Sequence, residues 1–112
     1  KTLRNYSLIR KYMDIKDIQK RQAAYDEKGW QHSGDELVHL RHVTLHLGKL
    51  LGEMSAYCEA REHDREASID KIQTAVIPDL IMHALRLANH LGVDAETAFL
   101  ERERINTERY CK

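Results

Sequence analysis

Apolar residues recur along the chain at helical spacing, in four separate stretches. The first covers about residues 6–28, where Leu8, Ile9, Tyr12, Met13, Ile15, Ile18 and Ala23 return every three or four positions. Asp14 divides it into a short arm and a helix, and Gly29 is placed as a natural stop. Ser33 and Glu36 have the spacing of a capping box, in which each side chain satisfies an orphan backbone N–H of the other residue. A long helix is therefore expected from there to about residue 61. Its apolar positions are Leu37, Leu40, Val43, Leu47, Leu50, Leu51, Met54 and Tyr57.

The charged stretch 59–68 reads as a loop. A third helix is expected over about residues 69–91, closed by Gly92. Pro78 lies within it, so this helix either kinks there or properly begins near Ile77 with Pro78 in its first turn. Asp94 is the expected N-cap of a last helix over about residues 95–110. The fold class that follows is all-α: a four-helix bundle with short connections. With five glycines and one proline there is little turn material to argue otherwise.

Polar residues interrupt the apolar faces in a regular way. On the second helix His39, His42, His46, Lys49 and Glu53 are spaced by three, four, three and four, so they line one face. On the third, Asp79, His83, Arg86 and His90 are spaced by four, three and four. If the stripes face each other they form an internal polar groove of the kind in which bundles build metal or ligand sites. The simpler reading is that each stripe is the solvated face of its helix. His39, His42 and His46 alone fall short of a closed zinc site, which needs four converging ligands.

Length and charge narrow the classes. The 112 residues suffice for one domain, with residues 1–13 as a candidate N-terminal arm. Eighteen basic and eighteen acidic residues cancel, which argues against general nucleic-acid binding. No apolar run approaches the ~20 residues of a membrane span. There is no signal-peptide apolar stretch, and because the chain opens on Lys1 an upstream piece is left open. Two cysteines, Cys58 and Cys111, cannot build a disulfide scaffold, so a reducing, cytoplasmic setting is the expectation. Cys58 has Glu59 and Glu62 beside it, which disfavours a thiolate, and no Gly-rich phosphate loop is present. A bundle this small buries a modest core, so pairing with a second copy is expected.

Several segments together resemble a known family. Residues 15–21, leading to Gly29-Trp30, resemble the first helix of the MazG-like nucleotide pyrophosphohydrolases. The stretch from His46 to Met54 resembles that family's second-helix motif, usually HLxEExGEL. Asp79-Leu80-Ile81 and the stretch from Leu85 to Asp94 are similar to its third helix and turn, usually ExxD followed by LRLANxLGID. Asn106, Arg109 and Tyr110 resemble its closing N-x-x-R-[YF]. The likeness spans residues 14–112.

The resemblance implies a homo-oligomer, dimer or tetramer, in which helices of associated subunits build the active site. It implies cleavage of an NTP or dNTP to the monophosphate and pyrophosphate, with Mg²⁺ or Mn²⁺ held by two carboxylate pairs. Divalent ions offset the charge of the leaving pyrophosphate and lower the pKa of the attacking water. Here the pattern departs. Glu53 and Asp79 stand at two carboxylate positions, but Leu50 and Val76 replace the others, and Lys49 replaces an adjacent glutamate.

Three readings follow: a member that binds a nucleotide or a protein without cleaving, an enzyme with a rearranged site, or a structural bundle. A rearranged site would draw on His46, Glu53, Asp79 and His83, an N/O set suited to Mn²⁺ or Zn²⁺. The first reading gives phosphate contacts to Lys49 and Arg86. The resemblance adds Asn106 and Arg109 as phosphate grips, and Trp30 and His32 as cover for the base. A divalent ion on Glu53 and Asp79 would favour the enzyme; Lys49 filling that place by a salt bridge would favour the non-catalytic module.

Overall fold

A computed structural model of the chain describes residues 13–30 and 34–111. Their regular structure is helical throughout: α1 is Ile15–Gly29, α2 Glu36–Glu62, α3 Ile77–Leu91 and α4 Ala95–Tyr110. Each start has a local cause. Asp14 caps α1 in a reciprocal box, accepting from Asp17 N–H at 2.8 Å while the Asp17 side chain accepts from Asp14 N–H at 3.3 Å. The cap of α2 is Asp35, whose side chain accepts from Val38 N–H at 3.1 Å. Ser33, expected in that role, lies outside the described residues, as do residues 1–12. Asp94 caps α4 through the N–H groups of Glu96 and Thr97.

Two stops differ in kind. Gly92 closes α3 in a left-handed conformation, φ 68°, with Val93 N–H donating back to Ala88 O at 2.8 Å. Gly29 is instead the last helical residue of α1. The chain turns at Trp30, whose N–H still donates to Asp26 O at 3.0 Å.

Pro78 sits in the first turn of α3, and a π-helical turn, Ile72–Val76, leads into it. Proline offers no N–H, and its ring crowds the carbonyl four residues back. The wider turn immediately before it accommodates both, and Ile77 N–H bonds to Ile72 O across it.

The helix α3 is the centre. It packs on α1, on α2 and on its own π turn, while α4 packs on α1. The core is small: Val43 and Leu50 from α2, Val76 from the π turn, Leu85 and Ala88 from α3. Gln19 of α1 fixes the α3–α4 turn. Its amide N–H₂ donates to Asn89 Oδ1 (3.0 Å) and Val93 O (2.8 Å), and its Oε1 accepts from Ala95 N–H (2.9 Å). Asn89 answers with a 3.2 Å bond to Gln19 O. Part of the expected apolar face of α2 is uncovered: Leu37, Leu40 and Leu51 are exposed, with Leu45 beside them. None of the described helices is long and apolar enough to cross a membrane.

Gly92 holds a left-handed conformation, and a Cβ there meets no neighbouring atom, so strain alone decides the cost of a side chain. Gly92→Ala is expected to lower stability by about 1–2 kcal/mol. Urea denaturation checks this, and an unchanged midpoint contradicts the left-handed assignment.

Candidate functional site

The two polar stripes face each other across the α2–α3 contact. His39 stacks on His90 with ring centroids 4.4 Å apart, and His46 stacks on His83 at 5.2 Å. His42 Nε2 and His46 Nε2 lie 3.3 Å apart, one turn from each other on α2. Trp30, at the end of α1, closes this cluster from the third side. Its ring lies 4.7 Å from His42, 5.2 Å from His46 and 5.6 Å from His83.

Beneath them lies a buried charge. Arg86 is only 4% exposed. Its Nε and Nη2 donate to Asp26 Oδ1 of α1 at 3.0 and 2.9 Å, and Gln22 Nε2 donates to the same oxygen at 2.9 Å. The third nitrogen, Nη1, sits 2.9 Å from His83 Nδ1. The guanidinium plane covers the Trp30 ring at 3.7 Å from its centroid, a cation–π contact in a desolvated setting.

This arrangement decides the chemistry of His83. A guanidinium only donates, so His83 Nδ1 accepts and the ring proton resides on Nε2. Burial lowers the pKa of His83 below the ordinary imidazole value. The charge of Arg86 and then His46 lower it further, while Asp79 and Asp26 oppose the shift. The neutral ring has given its one lone pair to Arg86, so none remains for a metal.

The other residues singled out from the sequence are scattered. Glu53 of α2 is held in an ion pair by Lys71, Nζ to Oε1 3.3 Å. The cation there is Lys71 and not Lys49, which is exposed on α2. Asp79 is half-buried, one turn before His83. Arg86, expected to meet phosphate, is enclosed by protein acceptors. Asn106 and Arg109 lie on α4, which packs on α1. His32 lies outside the described residues.

The divalent site that the resemblance implies does not fit these side chains. Among the described residues no three of His, Cys, Asp and Glu converge on a point where an ion would sit. Two of the four positions are apolar and buried, Leu50 and Val76, and a third, Glu53, is neutralised by a lysine.

Asp26, Gln22 and Lys71 escaped the sequence reading. The signal for the first two was present: Gln19, Gln22 and Asp26 repeat at three and four, the spacing that marks the other stripes. Comparison of the chain with protein-family models, with curated proteins and with solved structures gives no match.

Removing one partner of a buried pair leaves the other charge uncompensated, so Asp26→Ala is expected to cost about 3–5 kcal/mol. Thermal or urea unfolding measures it, and a loss below that of an ordinary surface substitution contradicts the network. His83 adds a pH dependence. Its folded pKa is depressed, so the unfolded chain binds the proton first as pH falls. Its contribution is complete above about pH 6.5 and declines as pH drops from there to the folded value. The slope of stability against pH in that window should shrink in His83→Gln; an unchanged slope rejects the assignment.

Proposed function

We propose that this chain is a self-associating helical module on the nucleotide-pyrophosphohydrolase frame that its sequence resembles, one that cleaves no triphosphate. One observation carries the reading: Leu50 and Val76, where the resemblance calls for magnesium-binding carboxylates, are 6% and 0% exposed and belong to the core. A carboxylate at either place would be buried without a partner, at a cost of several kcal/mol. The core and the metal site compete for the same positions, and here the core has taken them. The ion pair of Glu53 with Lys71 removes a further negative charge from the groove. A nucleotide taken by this module would be held, through Lys49 or the α4 pair Asn106 and Arg109, and released intact.

The partner we infer is a second copy. The best candidate surface is the uncovered face of α2, where Leu37, Leu40, Leu45 and Leu51 surround Gly48 and Gly52. A Cβ at either glycine would meet nothing within 4 Å inside the chain. Glycine in a helix interior costs about 1 kcal/mol, so two of them suit a face that another helix approaches closely. Exposed Phe99, Leu100 and Tyr110 give α4 a second uncovered strip.

Two measurements test this reading separately. Sedimentation equilibrium should give at least a dimer, and Leu51→Glu should shift it toward monomer. A monomer at micromolar concentration rejects the assembly. Pyrophosphate release from a panel of NTPs and dNTPs, with Mg²⁺ or Mn²⁺, should stay at background. Release that disappears in Asp79→Asn rejects the loss of catalysis while leaving the assembly untouched.

A further inference from the structure

Among the imidazoles, one pair is arranged differently from the rest. His42 and His46 are one turn apart on α2, and their Nε2 atoms converge to 3.3 Å. Two imidazole nitrogens bound ~2.0–2.1 Å from one tetrahedral ion stand about 3.3 Å apart. In the ion-free chain this contact is a hydrogen bond between the rings, and its length is also the separation that a shared ion needs. His42 stood outside the rearranged set His46, Glu53, Asp79 and His83 expected from the sequence, and the chelate does not depend on the function proposed above.

We propose that His42 and His46 form a two-nitrogen chelate for a borderline transition-metal ion, with the remaining positions left to water or an exogenous ligand. The donor chemistry selects the metal. Neutral imidazoles suit Cu²⁺, Ni²⁺ and Zn²⁺, and the affinity order rises from Mn²⁺ through Ni²⁺ to Cu²⁺. Magnesium, which wants oxygen, is excluded. An ion between them would take the Nε2 lone pair of each ring, with the ring proton held on Nδ1, in place of the Nε2···Nε2 hydrogen bond of the ion-free pair. His83 stays outside the set, since Arg86 takes its one lone pair. The nearby positive charge does not bar a cation. Arg86 is matched by Asp26, and Asp79 adds a negative charge on the same face of α3 as His83.

Trp30 is the chain's one tryptophan and lies within 4.7 and 5.2 Å of the two rings, so it reports on the site directly. The full chain should be titrated with Ni²⁺, and in parallel with Mg²⁺, while Trp30 emission is followed. Saturable quenching at one equivalent of Ni²⁺, reversed by EDTA and absent with Mg²⁺, is expected. His42→Gln should weaken it by about tenfold or more, at least the loss seen when a mere outer partner of a metal ligand is removed. A Cys58→Ser, Cys111→Ser variant should behave as the parent. Proton NMR of the parent under substoichiometric Ni²⁺ frees the test from any folding defect of the variant. The ring signals of His42 and His46 should broaden before those of the other histidines. Quenching shared by Mg²⁺, quenching lost in the cysteine variant, or earlier broadening at His63 or His90 would each overturn the chelate.

Discussion

Arg86 is the constraint on which the rest of the structure depends. A guanidinium cannot shed its charge, so burying it obliges the chain to bring an acceptor to it. That acceptor is Asp26, which fixes α1 against α3. The same guanidinium covers Trp30 and holds the lone pair of His83. Three neighbouring features thereby become consequences of one buried cation: the seat of α1, the place of Trp30 and the tautomer of His83, whose pKa burial depresses first and Arg86 second. Such a pair adds little net stability over an apolar replacement, but it permits one arrangement of α1 on α3 and penalises the others.

The groove shows how packing and chemistry contend for the same few positions. A chain of this size has room for a small core, and the core here uses Leu50 and Val76 together with Val43, Leu85 and Ala88. Carboxylates at the first two would convert the centre of the α2–α3 contact into a cation site and leave the monomer with little to hold it together. With leucine and valine there, the centre is apolar and the contact is polar along the histidine rows. A nitrogen-lined surface results where the family resemblance implies an oxygen-lined one.

Much of the architecture was legible in the sequence, because it rests on local rules. Asp14, Gly92 and Asp94 mark boundaries that the helices obey, since capping is decided within a few residues of backbone. The spacing of the histidines placed them on one face each. Periodicity alone left open whether those faces met each other or solvent; the stacks of His39 on His90 and His46 on His83 decide it. The roles of Arg86 and Lys71 were illegible for a related reason. Whether a cation meets phosphate, a carboxylate or water depends on which helix lies opposite, and no spacing on its own helix encodes that. The same holds for Leu37, Leu40 and Leu51, which are apolar by pattern but uncovered within one chain.

The place of the proton on His83 tests the account most directly, because the buried guanidinium makes Nδ1 an acceptor. A long-range ¹⁵N–¹H correlation spectrum at neutral pH, assigned by the signal lost in His83→Gln, reads the state of both ring nitrogens. The account predicts an unprotonated Nδ1 and a protonated Nε2. A proton on Nδ1, or an imidazolium with both nitrogens protonated, would contradict the Arg86 contact and the arrangement built on it.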